Sequence, residues 1–158
     1  MKLLVLDLDG TLWAHEDASR LTPPYEFRGD YLVDFTGQEL HLFPGVREFL
    51  EWAGGRFVLS IASWNVEGKV RPILEGFGLL DYFIFPKIEN HPNKGDMIKR
   101  TVRELQSIGY DVDVVIYVDD RDIHLDAVKN AIPDIRFVHM WRDAKSFEEL
   151  RELLERMG

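Results

Sequence analysis

The stretch KLLVLDLDGT, residues 2–11, decides the reading of this chain. Leu3, Leu4, Val5 and Leu6 make an apolar run too short for a buried helix and without clean alternation. That is the pattern of a parallel strand covered on both faces. Asp7 and Asp9 follow at a spacing of two, which sends both carboxylates to the same side. Gly10 then lets the chain turn sharply. Ligands of an open parallel sheet gather beyond the carboxyl ends of its strands. This single run therefore predicts two carboxylates at a binding edge.

Working outward, four further apolar runs have the same character: Phe57 to Ala62, Tyr82 to Phe85, Val114 to Val118 and Arg136 to Met140. Helical patterns lie between them. Val46, Phe49, Leu50 and Ala53 form one stripe, ended by Gly54 and Gly55. Asn65 can cap a second helix carrying Val66, Val70, Ile73 and Leu74, which Pro72 must kink or interrupt. Ile98, Thr101, Val102 and Leu105 mark a third, and Leu125, Val128 and Ile132 a fourth. Ser146 and Glu149 form a capping box ahead of Phe147, Leu150 and Leu154. Strand and helix alternate, so the expected fold is α/β: five parallel strands with helices on both faces, in one domain over 1–158. Residues 13–43 break the alternation. Tyr25, Phe27, Val33, Phe35, Leu40 and Leu42 give patches of period two, and Gly29 and Gly37 offer turns, which predicts a β-hairpin flap.

Composition removes several function classes. With no cysteine there are no disulfides, thiolate metal sites or cysteine nucleophiles. A net charge of -9 without a long Lys/Arg run argues against nucleic acid as a partner. No apolar run reaches the length of a membrane span, and the N-terminus does not read as a signal peptide, so the expected location is the cytoplasm. Glu, Lys and Arg are plentiful while Asn and Gln are scarce, a tilt found in heat-adapted proteins.

Polar residues collect at the strand ends. The second strand runs out in Ser63, Trp64 and Asn65, and the fourth in Asp119 and Asp120. Lys94 opens the third long helix after Pro92 and Asn93. Carboxylates at one mouth repel one another unless a cation joins them, and oxygen ligands suit a hard ion such as Mg²⁺. A phosphoryl group is the matching anion. Lys94 and the metal would neutralise its oxygens, Ser63 would donate a hydrogen bond, and backbone N–H groups after Asp7, at Leu8, Gly10 and Thr11, would add more. One carboxylate can attack phosphorus while its neighbour handles the proton.

The order Asp7-Leu8-Asp9-Gly10-Thr11, Ser63, Lys94, Asp119-Asp120 resembles the four motifs of the haloacid dehalogenase (HAD) superfamily. Gly10 to Trp13, Leu42 to Val46 and the corner Ala62-Ser63-Trp64-Asn65 are similar to its magnesium-dependent phosphatase-1 branch. The resemblance implies a HAD-like fold without a large cap domain. It implies Asp7 as nucleophile and Asp9 as acid and base. It implies Mg²⁺ held by Asp7, the backbone of Asp9 and Asp120, with Asp119 in support. Ser63, Trp64, Asn65 and Lys94 would bind the transferring group. In the fourth motif a second ligand often follows four residues after the first. Here that position is His124, and Asp122 or Asp126 are the alternatives. Trp13, His15, Trp64 and Arg121 lie near the mouth, where they either shape specificity or, for the two Trp, pack the core.

The expected activity is phosphomonoester hydrolysis on a phosphoprotein or a phosphosugar. A dehalogenase needs neither Asp9 nor Mg²⁺. A phosphotransferase shares the site but must exclude water. A receiver-type signalling module carries similar groups in another order, with its acid pair first and its phosphorylated Asp on a middle strand. A second copy of the chain is a further partner to consider, since the flap offers an edge to pair.

Overall fold

The computed structural model describes residues 1–157. Strand β1 (Lys2–Leu6) leads into a flap built from β2 (Glu26–Phe27), β3 (Tyr31–Val33) and β4 (Glu39–His41). Then follow α1 (Val46–Gly54), β5 (Val58–Trp64), α2 (Glu67–Gly76), β6 (Lys87–Glu89) and α3 (Lys94–Ser107). The chain closes with β7 (Val114–Asp119), α4 (Leu125–Ala131), β8 (Arg136–His139) and α5 (Phe147–Met157).

The main sheet is parallel, in the order β6-β5-β1-β7-β8. From β1 the chain winds one way to β5 and β6, then crosses back to β7 and β8. The switch point of a doubly wound sheet thus lies at the carboxyl end of β1, where such sheets bind ligands. Register makes the three central strands end together. Leu6 pairs with Ile61 on one side and Val118 on the other, so Asp7, Ser63 and Asp119 fall at the same edge.

Side-chain alternation along β1 serves two cores. Leu4 and Leu6 pack with α1, α2 and α5, while Leu3 and Val5 pack with α3 and α4. All four are buried, and each such Leu contributes about 1.5–3 kcal/mol by leaving water. The Ser146 half of the capping box forms: its hydroxyl accepts from the Glu149 N–H at 3.0 Å. Among the described residues no helix is long and apolar enough to cross a membrane.

Three expectations need correction. The third strand is not Tyr82 to Phe85: Phe83 makes only an isolated bridge to Leu59, and the ladder forms at Lys87–Glu89. Phe85 has φ 48°, a left-handed turn that ends any extended run there. The helix carrying Pro72 is neither capped by Asn65 nor interrupted; its N-cap position is Val66, and it runs through Pro72. The flap is a three-stranded antiparallel sheet rather than a hairpin. Asp34 closes one of its turns by accepting from the N–H groups of Thr36 and Gln38 at 2.8–2.9 Å.

The flap is anchored to the body. Phe27 lies so close to Gly76 that an added Cβ would come within 2.0 Å of the ring. Arg47 donates to Asp30 at 2.7 Å and to the Phe77 carbonyl at 2.8 Å, bridging flap and body. Its base is pinned where Trp13 bridges Leu42.

Candidate active site

The carboxyl edge of the sheet opens into a cleft of about 1080 Å³. Asp7, Asp9, Ser63, Lys94 and Asp120 line it, with His15, Trp64 and Arg121 at its rim. At its centre the Lys94 ammonium donates to Asp7 Oδ1 and to Asp119 Oδ2, both at 2.8 Å. Lys94 is 1% exposed although it is the first residue of α3, because its side chain turns into this acid pair. Asn93 caps that helix through the Asp96 N–H at 3.0 Å. The Tyr117 hydroxyl donates to the same Asp119 oxygen as Lys94. Tyr117 precedes Asp119 by two on β7 and so shares its face.

Asp120 closes the group. Ligand oxygens of Asp7, Asp119 and Asp120 all lie within 4.8 Å of one another. Thr11 ties two of them, its Oγ1 standing 3.4 Å from Asp7 Oδ2 and 3.2 Å from Asp120 Oδ1. Gly10, at φ 76°, lets Asp120 approach: a Cβ there would sit 2.4 Å from Asp120 Oδ2. Any side chain at position 10 would meet both strain and a carboxylate.

Three acids and one ammonium leave uncompensated negative charge, and the titration directions reflect it. Burial pushes the Asp7 carboxyl well above its ordinary value, with Lys94 opposing and Asp119 and Asp120 reinforcing. Burial and Asp119 likewise raise Asp120. For Asp119, burial acts upward, but Lys94 and the Tyr117 hydroxyl outweigh it and hold the group below its ordinary value. Lys94 is raised, because its two carboxylate partners outweigh its burial.

Asp9 is held differently. Its Oδ1 accepts from Trp13 Nε1 at 2.7 Å and the Ala18 N–H at 3.1 Å; its Oδ2 accepts from Asn65 Nδ2 at 2.7 Å. All three donors are neutral. Burial raises its carboxyl, and the three donors only partly offset that.

The structure gathers Asp7, Lys94, Asp119 and Asp120, and sets buried Ser63 in the cleft wall. Several expected phosphoryl contacts are committed elsewhere. The Gly10 N–H donates to the Trp13 carbonyl at 2.9 Å and the Thr11 N–H to the Leu8 carbonyl at 3.0 Å. Both are spent in closing the turn. Leu8 is fully buried, so only its backbone can serve. The Asn65 amide binds Asp9 while its carbonyl oxygen accepts from the Val66 N–H at 2.7 Å. Asn65 therefore holds Asp9 rather than a ligand. Trp13 is fully buried and serves both as core and as a donor to Asp9.

Asp122, His124 and Asp126 stand outside the carboxylate trio. His124 is buried, its ring edge-on to Trp64 at 6.2 Å. Glu89, His91 and Asp96 form a second group of ligand atoms, but Arg100 already donates to both Glu89 and Asp96. Tyr117 is a site residue hidden in the apolar run of β7, and its spacing of two from Asp119 is the one sequence signal that points to it.

The model of the NLI interacting factor-like phosphatase family matches residues 2–158. Human magnesium-dependent phosphatase 1 is 33% identical over 123 residues, 75% of this chain and 67% of that protein. Among solved structures, a HAD-superfamily hydrolase of subfamily IA from Geobacter sulfurreducens superposes with a TM-score of 0.67 at 15% identity, covering 98% of this chain and 96% of its own. The N-terminal part of a Bacteroides fragilis protein, which contains a phosphatase domain and was solved with Mg, superposes with a TM-score of 0.61 at 23% identity. That match covers 97% of this chain but only 39% of the longer one. Both structures share the fold, and among the described residues there is no large cap. Family model and human relative together settle membership: the chain belongs to the NLI interacting factor-like phosphatase family, on a HAD-superfamily fold.

Proposed function

We propose that the chain hydrolyses phosphomonoesters with Mg²⁺ as cofactor, through a phosphoryl group carried transiently on Asp7. The observation that carries this reading is the Lys94 ammonium 2.8 Å from both Asp7 and Asp119, inside a carboxylate trio whose charge it does not balance. A hard divalent cation fits that donor set, which is all oxygen and converges within 4.8 Å. Asp7, Asp120 and the backbone carbonyl of Asp9 would hold it, with Asp119 in support. Bound there, it would supply charge stabilisation for the phosphoryl oxygens.

The remaining chemistry belongs to the chain. An Asp7 oxygen forms a bond to phosphorus as the bond to the leaving oxygen breaks. Asp9 gives its proton to that oxygen, so the alcohol departs neutral. Water then attacks phosphorus, Asp9 takes its proton, and the bond to Asp7 breaks to free inorganic phosphate. The Asp9 carboxyl, raised by burial, holds a proton more readily than an ordinary carboxyl does, which suits it to giving one to the leaving oxygen. Lys94 and the Ser63 hydroxyl orient the transferring group. The cleft is wide and open at its rim, which admits a phosphorylated protein side chain or a sugar phosphate, including a phosphorylated fructosamine. The reading places the enzyme in the cytoplasm, as a single domain.

Hydrolysis of p-nitrophenyl phosphate, with Mg²⁺ or with EDTA and beside Asp7→Asn, tests the proposal. Activity that requires both metal and Asp7 is the expected result. Turnover that survives either loss would overturn it.

A further inference from the structure

The last strand of the sheet reaches back to the site through two side chains that the chemistry above does not use. β8 ends at His139, whose Nε2 stands 2.9 Å from the backbone carbonyl of Asp120. Two residues on, Trp141 Nε1 donates to the backbone carbonyl of Gly10 at 2.7 Å. The acceptors belong to the two segments that must meet for the carboxylates to converge. Gly10 follows Asp9, Asp120 follows the last residue of β7, and a Cβ on Gly10 would overlap the Asp120 carboxylate.

We propose that His139 and Trp141 are positioning residues that clamp these segments together and so set the distance between Asp7 and Asp120. This rests on the reading of those carboxylates as Mg²⁺ ligands.

The local geometry is built for that purpose. Trp141 has φ 73°, a left-handed conformation that a bulky residue adopts only when its surroundings impose it. The imposing contacts are present. The Trp141 N–H donates to the Ala144 carbonyl at 2.7 Å, and its ring lies 4.4 Å from Phe43 and 5.9 Å from Phe147. Those contacts aim the indole N–H at Gly10 rather than at solvent. The indole N–H of half-buried Trp141 takes its acceptor from the active-site turn.

His139 is fixed just as firmly. Its backbone N–H donates to Asp143 Oδ2 at 2.8 Å, and the Asp143 N–H returns to the His139 carbonyl at 2.8 Å. A carbonyl can only accept, so Nε2 donates to it, and Nδ1 is buried without a hydrogen-bond partner among the described residues. The ring's one strong hydrogen bond is the one to Asp120. The next residue repeats the attachment, with the Met140 N–H donating to the Asp119 carbonyl at 2.8 Å. Asp120 is therefore gripped by Thr11 through its side chain and N–H and by His139 through its carbonyl.

The test is calorimetric titration of MgCl₂ alone into the metal-stripped full chain. The proteins compared are wild type, Trp141→Phe, His139→Leu and His139→Gln. Phe keeps the ring packing and deletes the N–H, while the Gln amide can present a donor near the former Nε2. Trp141→Phe and His139→Leu should each weaken Mg²⁺ binding about tenfold, and His139→Gln should recover most of that loss. At saturating Mg²⁺ the KM for p-nitrophenyl phosphate should stay near wild type while kcat falls. Thermal melting of the metal-free proteins reports folding. A variant without a cooperative transition is set aside, and the Leu/Gln pair at 139 decides alone. Unchanged Mg²⁺ affinity in folded Trp141→Phe and His139→Leu would overturn the clamp, as would a Gln variant no better than Leu. If wild type takes up no Mg²⁺, the metal reading falls first and takes the clamp with it.

Discussion

Asp7 and Asp9 leave the same strand two residues apart, yet the protein treats them in opposite ways. Asp7 faces an ammonium and two other acids; Asp9 faces an indole N–H, an amide and a backbone N–H, with no cation bonded to it among the described residues. The Asp7 side is a charge cluster whose balance changes whenever a cation arrives. The Asp9 side is a cradle of neutral donors that fixes the carboxylate in place. Two carboxylates whose surroundings differ in this way are suited to different roles. A nucleophile must be charged and aimed, whereas an acid and base must change charge without moving.

The largest effect should come from breaking the two sides separately. Asp7→Asn should lower kcat on p-nitrophenyl phosphate by about 10⁴-fold or more, because the neutral amide that replaces the carboxylate is too weak a nucleophile to take the phosphoryl group. Asp9→Asn should lose about 10²–10⁴-fold on an alkyl phosphate. Its loss should be smaller on p-nitrophenyl phosphate, whose leaving oxygen needs little protonation. Steady-state rates on the two substrates check both statements. Equal losses for Asp9→Asn on both would remove the acid role from Asp9.

Lys94→Met probes the charged side alone. It leaves buried Asp7 and Asp119 without their shared cation, which should cost about 3 kcal/mol of stability near neutral pH. The sign with pH follows from the charges. Losing Lys94 should raise both carboxyls relative to wild type, Asp7 further above its ordinary value and Asp119 from below it, so relative to wild type the variant's fold is favoured when they are protonated. The deficit should shrink as pH falls toward about 5 and grow as it rises. Urea melts of both proteins across that range measure it. A deficit independent of pH would mean that Lys94 matters for packing and not for charge.

Metal should sharpen the same contrast. If Mg²⁺ binds at the Asp7 side, saturation at about a hundred times its dissociation constant should add about 2.7 kcal/mol to the stability of wild type. Asp120→Ala should abolish most of that gain, while Asn65→Ala should retain it, since Asn65 serves only the Asp9 side. Thermal melting with MgCl₂ and with EDTA reads both. Loss of the gain in Asn65→Ala would show that the two sides are not independent.

How much of this could be read from residues alone differs between the same two regions. The strand ends were legible because Asp-Leu-Asp after an apolar run places its carboxylates by the two-residue period, and Asp119-Asp120 does so again. That Lys94 belongs with them needed the order of motifs, since one Lys at a helix start is ordinarily solvated. The cradle was not legible. Asn65 and Trp13 were noted for other roles, and the Ala18 N–H has no signal in a sequence. His139 and Trp141 act over separations of 19 and 131 residues, which no local pattern encodes. The misplaced third strand has a local cause. Its true residues, Lys87 to Glu89, begin and end in charges, and Lys87 is buried only because Glu104 and the Phe85 carbonyl receive its ammonium.

The smallest expected effect belongs to the cradle and is the most specific to it. Trp13→Phe removes one of three donors to Asp9 while keeping an aromatic ring in the core. Donors to a carboxylate favour its charged form, so deleting one should raise the Asp9 pKa further above its ordinary value. The alkaline limb of kcat/KM, which follows loss of the Asp9 proton in the first step, should then move to higher pH. The acid limb of kcat, which follows gain of that proton before water attacks, should move the same way. A shift on the order of half a unit is expected for one lost neutral hydrogen bond. The Asp7 side predicts no such movement, because Trp13 donates to neither Asp7 nor Asp120. A Trp13→Phe profile that falls in height with both limbs in place would therefore assign Trp13 to packing alone. Limbs that move in opposite directions would mean that two different groups, and not Asp9 in both steps, govern the two transfers.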